Sequence, residues 1–541
     1  MKIIKSTIYT VLLGFTLSSC SGFLEEENLG NTTAENYYGS QAGYEGLINA
    51  AYATLRDVYQ PTPYIFCAGT DLFFSAHTEV PLGLASYQTL TPGNSQVEYL
   101  FQKLYQSIQI TNMALEYANE TEPFTELGTR IAELKTLRAY YYFLLVQNFG
   151  DVTLVTDLVK EPIVTFDRDP ASEVYEFIIN ELNAAIAVLP DSQSDFGRVT
   201  KRVAQHILAK VYLTRGYDTE NGGTAADFAE AANLADAAID GQGLNLSFEE
   251  LFAYQNDNNE EVLWSIQYAD GSTRNSPAHN WDYAWGPLVQ GSDDGVNKKN
   301  ALHPTEYLFT LFEDNDTRFE GTFLNIKTSP YTGYLLNPEN SPVNYYYPRT
   351  AAQLTDTVAW RAASPMRSET IISPIDPHWW DGLNQTDYPA LKKFDRVQLP
   401  DIRYTHDLYL ARLGETYLIA AEAYFQAGNA GVAMDRLNVV RRRAAAPGME
   451  AAMEVSSIDL DLILDERARE LAGEGFRWLD LKRTGKLMEY TKDRNPDIEA
   501  LYNMGTDPFM GANNEYKILR PIPLSAISLD AGDYPQNPAY Q

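Results

Sequence analysis

The 541-residue sequence predicts a mainly α-helical fold, in which a tetratricopeptide-like scaffold of helical hairpins carries an irregular layer of loops and short strands. Three observations predict it. Apolar residues recur at three-and-four spacing through the first and last thirds of the chain. Several of these periodic stretches pair across short Gly-containing turns. Between them, from about 245 to 405, the periodicity fades and Asn, Gly, Pro, Ser and Tyr become frequent.

The first element is a leader. Lys2 and Lys5 precede an apolar run from Ile8 to Leu17, too short to span a bilayer, which takes about 20 residues. Leu17-Ser18-Ser19-Cys20 then resembles a bacterial lipobox. Residues 1–19 are expected to be removed, Cys20 to carry lipid, and residues 20–32 to form a tether. No later run approaches 18 consecutive apolar residues, so the expected anchor is lipid, and a stable hold takes more than one acyl chain. The other cysteine, Cys67, sits in Tyr64-Ile65-Phe66-Cys67-Ala68 and reads as a small buried hydrophobe. With Cys20 lipidated, no disulfide forms within the chain.

Residues 33–541 are expected to form one domain, with the scaffold at about 33–244 and 406–490 and the irregular layer at about 245–405. A first helix over 33–58 carries Tyr44, Leu47, Ile48, Ala51 and Leu55 on one face. Helices follow at 95–118 and about 123–148. The latter ends in Arg138-Ala139-Tyr140-Tyr141-Tyr142-Phe143-Leu144-Leu145, apolar on several faces and therefore buried between neighbours, with Gly150 stopping it. Further helices fit 170–189, 200–217 and 224–241, and Glu261 to Tyr268 alternates like a strand. The clearest hairpin is 408–445: Leu413, Tyr417, Leu418, Ala421 and Phe425 make one stripe, Gly428 ends it, and Ala433, Leu437, Val440 and Ala444 make the next. A structureless loop as long as 245–405 is implausible, so that region must be a β-and-loop layer resting on the helices, where function usually sits.

Charge narrows the partners. The formal net charge is −32, and loss of Lys2 and Lys5 makes the exported part more acidic still. Such a surface excludes nucleic acid, which needs a basic face, and does not lie flat on anionic lipid. The 36 Tyr, 23 Phe and 7 Trp suit surfaces that stack on polar ligands. No enzyme signal is present: the chain lacks G-x-S-x-G, a P-loop and G-x-G-x-x-G. The six His lack metal-ligand spacing, and Asp314 and Asp316 lack the Gly and terminal Glu of a calcium loop. No cofactor or metal is expected. With 73 acids, close carboxylate pairs arise by chance and nominate no glycosidase. Arg477, Asp480, Lys482 and Arg483 read as a buried ion-pair network, and Trp478 as core.

Motifs in fixed order carry a resemblance nearly end to end. They are Cys20-Ser21-Gly22-Phe23-Leu24-Glu25, Arg138 to Phe143, Asn148-Phe149-Gly150-Asp151-Val152, Gly197-Arg198-Val199-Thr200, Leu208 to Leu213, Glu422-Ala423 through Leu437 to Arg441, Glu466-Arg467, Glu470-Leu471, Glu474 to Gly485, Leu519 to Pro523 and Gln536-Asn537-Pro538. The chain resembles the SusD/RagB family of outer-membrane nutrient-binding lipoproteins of Bacteroidota. Thr153 and Arg520 depart from that pattern, standing where Pro and an aromatic or Leu are common. The resemblance implies a SusD-like fold and a binding protein, not an enzyme, facing the extracellular side of the outer membrane. Its implied partner is a SusC-like TonB-dependent transporter, to which it passes oligosaccharide or polysaccharide, or in some branches peptide. Glu25-Glu26-Glu27 resembles the family's surface-export signal.

Candidate ligand residues are Trp and Tyr in loop-like context beside polar groups. In an extended Asn280-Trp281-Asp282-Tyr283-Ala284-Trp285, the rings of Trp281, Tyr283 and Trp285 project on one face as a platform for a sugar ring, with Asn280 and Asp282 able to bond hydroxyls. The alternative is that these rings pack the layer onto the helices. Trp379 and Trp380 form a second candidate. The loop from Asp71 to Gln88, with Phe74, His77 and Tyr87, is a third, because a segment at this position often reaches ligand in the family. The Trp281/Trp285 pair favours glycan over peptide. A surface glycoside hydrolase needs an acid pair that nothing nominates.

Overall fold

A computed structural model describes residues 34–59, 63–75, 80–253, 256–268, 281–285, 301–324, 326–328, 342–349, 351–372, 389–394 and 406–541. The fold is mainly helical. Its first expected helix is two: α1 (Ala34–Tyr38) and α2 (Gln41–Tyr59). The break falls at Gly39-Ser40, where the Ser40 hydroxyl accepts the Gly43 N–H at 3.1 Å and so starts a new helix. Gly43 is required there, because a Cβ would lie 1.8 Å from the Tyr37 carbonyl oxygen.

Next come α3 (Ser95–Tyr117), α4 (Leu127–Phe149), α5 (Ala171–Ile186), α6 (Lys201–Tyr217) and α7 (Ala225–Ile239). Asn94 caps α3, its Oδ1 accepting from the N–H groups of Gln96 and Val97 at 3.1 Å. A capping box of Thr224 and Asp227 starts α7. The Tyr- and Leu-rich second half of α4 is buried on every side, as its composition demands. Gly150 ends α4 at φ +74°. Each helix packs on its successor from α2 to α7, the pattern of a hairpin array. The array resumes with α8 (Leu413–Gln426), α9 (Ala430–Ala444), α10 (Leu460–Leu471) and α11 (Arg477–Arg483). Helix α7 packs directly on α8 although the irregular layer lies between them in sequence.

Short strands organise that layer: β1 (Phe73–Ser75), β2 (Val262–Ile266), β3 (Leu302–Pro304), β4 (Phe323–Leu324), β5 (Ile326–Thr328), β6 (Val343–Tyr346), β7 (Ile371–Ile372), β8 (Ala390–Leu391) and β9 (Leu408–Arg412). Strands β2 and β9 pair antiparallel, Val262 opposite Arg412 and Ile266 opposite Leu408. The layer therefore leaves the scaffold and returns to it side by side. The other pairings are β1–β3, β4–β8 and β5–β6–β7.

Buried ion pairs bolt the layer down. Arg412 reaches Glu470 at 2.6 Å, Glu474 at 2.7 Å and Glu261 at 3.0 Å. Arg318, fully buried, reaches Asp316 at 2.7 Å, Glu466 at 2.8 Å and Glu470 at 2.9 Å. Arg443 joins Glu470 and Glu261, and Lys393 joins Glu474. Burial alone would raise the Glu470 carboxyl, but Arg443, Arg412 and Arg318 hold it well below the ordinary range. Removing one member leaves the others as uncompensated buried charges, so the network fixes one arrangement of layer on scaffold.

Candidate functional site

Strand β1 pairs with β3, Ser75 opposite Leu302. Ser75 at the end of β1 and Leu302 at the start of β3, distant in sequence, thus lie at one end of this ladder. The Ala301 N–H donates to the Ala284 carbonyl at 2.9 Å, bringing residues 281–285 to that place as well. Trp281 Nε1 donates to the Tyr59 carbonyl at 2.8 Å, which adds the end of α2. Arg56 Nη2 donates to the Gln267 carbonyl at 2.6 Å, and the Asp407 carboxylate accepts the Tyr268 N–H at 3.1 Å. The end of α2, the β1–β3 ladder, residues 281–285 and Phe394 thus meet around one aromatic floor.

The floor is a stack of rings. Tyr59 lies on Phe66 at 4.8 Å between centroids, Phe73 on Trp285 at 4.4 Å, and Phe394 against Trp281 and Trp285 at 6.1 and 6.3 Å. Gly473 (φ +79°) and Gly475 (φ +87°) carry the backbone under these rings, where a Cβ would meet Phe394 at 2.6 Å and Trp281 at 3.0 Å. Tyr59, Phe66, Phe73 and Phe394 were not legible as site residues, since nothing in their local sequence says that four such distant positions converge. The pair of glycines around Glu474 was the one local signal of a close approach.

The extended platform expected at 281–285 does not form. Residues Trp281–Trp285 make one helical turn. A spacing of four places Trp281 and Trp285 on one helical face, and both are 0% exposed within the core. They pack the layer onto the helices, the alternative that the sequence left open. Asp71 is likewise no ligand group. It is buried, with Arg477 bound bidentate at 2.8 and 2.6 Å and Arg494 at 3.2 Å. Tyr87 is buried in a left-handed conformation (φ +62°), donating to the Gly69 carbonyl at 2.7 Å and accepting from Trp478 Nε1 at 3.0 Å. Burial pushes its phenol up to about 12. Cys20, His77, Asn280, Trp379 and Trp380, and the side chains of Asp282 and Tyr283, lie outside the described residues.

The charged cluster after Gly475 is structural. Arg467 grips Asp480 with two bonds of 2.8 Å, Arg483 joins Asp480 and Glu422, and Lys482 donates to the Gln147 carbonyl. Among the described residues, no group of three potential metal ligands exists and no helix is long and apolar enough to cross a membrane.

Residues 260–540 match the model of the SusD family, and residues 23–213 match a model described as starch-binding associating with outer membrane. A SusD-like protein of Bacteroides ovatus is 31% identical over 373 residues, an alignment covering 65% of this chain and 58% of that protein. The starch-binding protein SusD of Bacteroides thetaiotaomicron is 25% identical over 465 residues, covering 78% of each. Among solved structures, a laminarin-binding SusD-like protein superposes with a TM-score of 0.68 at 25% identity, covering 93% of this chain and 100% of that one. A SusD homologue from Bacteroides thetaiotaomicron gives a TM-score of 0.74 at 20% identity over 95% of this chain and 100% of that chain.

Proposed function

The chain belongs to the SusD family, a glycan-binding family associated with the outer membrane, and from that premise we propose that it is a lipid-anchored receptor on the extracellular face. It captures oligosaccharide or polysaccharide non-covalently and passes it to a SusC-like TonB-dependent transporter, with Cys20 as the lipid attachment point. The observation that supports the reading is that α2, the β1–β3 ladder, residues 281–285 and Phe394, distant in sequence, converge on one buried aromatic floor in the irregular layer, a rigid base of the kind on which binding residues are carried.

The rings of that floor are buried, and the ligand is held by residues outside it. Asn280, Asp282, Tyr283 and His77, from segments that adjoin the floor in sequence, meet hydroxyls, and Trp379 and Trp380, from the separate segment between Ile372 and Pro389, stack on apolar sugar faces. No bond of the ligand is made or broken. An open site of this kind holds its ligand with a Kd between about 1 mM and 1 μM, or roughly −4 to −8 kcal/mol. Weak binding suits delivery, since the ligand must leave, and several anchored copies on one polymer gain by avidity.

Affinity electrophoresis of the protein through gels containing a panel of polysaccharides tests the proposal, with laminarin and starch, named for two relatives, heading the panel. Retardation by one glycan, lost in Trp379→Ala, is the expected result. Migration unchanged by every glycan overturns the glycan reading and moves the ligand to peptide.

A further inference from the structure

A groove of about 930 Å³ lies away from the aromatic floor. It runs between α3, the extended segment that follows α4, and a C-terminal helix α12 (Leu524–Leu529). Phe101, Tyr105, Ile110, Val155 and Phe166 line it, and Ile163, Val164 and Leu529 stand exposed on its rim. Its one charged lining residue, Asp530, already accepts the N–H groups of Phe166 and Gly532. An apolar surface of this extent on a polyanionic protein calls for a cover.

The position of the chain's first described helix says what the cover is. Along α3, Gln102, Gln106, Gln109 and Ile110 lie on the stripe that edges the groove, and helical periodicity carries that stripe on to Tyr117. Tyr38 of α1 packs on the Tyr117 ring at 5.0 Å, and the Thr121 hydroxyl donates to the Tyr38 carbonyl at 3.0 Å. The chain therefore reaches α1 beside the end of the same stripe. From Tyr117 to Phe101 is about 24 Å at 1.5 Å per residue. The eleven Cα-to-Cα steps from Phe23 to Ala34 span about 36 Å when extended. Phe23 and Leu24, the two adjacent apolar residues of the Ser21–Thr32 stretch, are within reach of the far end of the groove.

We propose that the groove is the seat of the chain's own N-terminal segment, with Phe23 and Leu24 in its apolar floor. Gln102 donates to Glu98 at 3.2 Å, and the side-chain oxygens of Gln106 and Gln109 accept from Lys103 Nζ at 3.0 Å and the Val159 N–H at 3.1 Å. The Gln102 oxygen and the Gln106 and Gln109 NH2 groups are therefore what this edge offers an extended backbone, which needs both donors and acceptors. The tether then leaves the body at the Phe101 end of α3 instead of at α1. This sets where the membrane anchor stands relative to the aromatic floor, and the inference is independent of the glycan reading.

Cysteine cross-linking in the full chain carrying Cys20→Ser tests it, since Cys67 is buried and does not compete. Leu24→Cys is paired with Gln106→Cys, on an exposed part of the groove edge, and separately with Val358→Cys, which is 80% exposed in the irregular layer. The disulfide with position 106 is expected to form at least tenfold faster than that with 358, and Ala526→Trp, which fills the groove, is expected to abolish the difference. Equal rates at the two positions, or a preference for 106 that survives Ala526→Trp, overturn the proposal and leave the groove to a second copy or another protein.

Discussion

Replacing Trp281 by alanine separates a core indole from a sugar platform. The side chain is 0% exposed, donates Nε1–H to the Tyr59 carbonyl at 2.8 Å, and is flanked by Phe66 and Phe394. An indole buries on the order of 200 Å², which at about 25 cal/mol per Å² gives an upper bound near 5 kcal/mol. Core Trp→Ala replacements cost about 3–5 kcal/mol, so a loss of about 4 kcal/mol is expected. Trp281→Phe keeps most ring contact but leaves the Tyr59 carbonyl without its donor, and a smaller loss of about 1–2 kcal/mol follows. Urea denaturation of the full chain carrying Cys20→Ser reads both, as a lower midpoint at unchanged slope. A surface platform residue would cost less than about 0.5 kcal/mol. A loss under about 1 kcal/mol for Trp281→Ala would refute the assignment of this ring to the core.

Arg412→Met leaves Glu470, Glu474 and Glu261 short of their shared cation, and a loss of about 3–5 kcal/mol is expected by the same denaturation; a neutral result refutes the network's role. Acid lability follows from Glu466: burial would raise its carboxyl, but Arg318, Arg469 and Arg441 hold it at about 2. A folded value below the unfolded one, about 4.3, gives stability that is present above that pH and lost as pH falls toward 2. The urea midpoint should therefore fall between pH 5 and pH 2, and a flat profile contradicts the argument. Asp407 has the opposite sign. Burial pushes its carboxyl up to about 6, against the pull of the Tyr268 N–H and the Ser265 hydroxyl. Ionised Asp407 thus destabilises the fold above pH 6, and the effect fades as pH falls through 6 toward 4. Asp407→Asn is expected to raise the midpoint at pH 7.5 and to leave it unchanged at pH 4; equal shifts at both values rule this out.

Local periodicity made the scaffold legible. The stripe Leu413, Tyr417, Leu418, Ala421 and Phe425 is a helix because those residues share one face, and it ends where Gly428 takes φ +82°. The all-round apolar run of α4 announced a helix buried between neighbours. The break at Gly39-Ser40 was missed because the stripe continues across it, while the turn itself depends on a backbone clash that only Gly43 avoids. At Trp281 and Trp285 the local pattern was ambiguous. Alternation by two and spacing by four both place two aromatics on one face, and nothing nearby in sequence distinguishes a strand from one helical turn. Asp71 and Tyr87 were nominated by their place in the chain, yet their partners Arg477 and Trp478 lie about 400 residues away.

What was readable from sequence alone is local: the helices, the net acidic charge, and the order of motifs that marks the family. Tertiary structure decided what depends on distant partners. It turned Trp281 and Trp285 inward, committed Asp71 to Arg477, closed β2 on β9 around the irregular layer, and left a groove open beside α3. The physical reason is range. Helical spacing and capping act across a few residues and are written in them, whereas burial and ion pairing depend on which residues meet, and that is set by the packing of the whole chain.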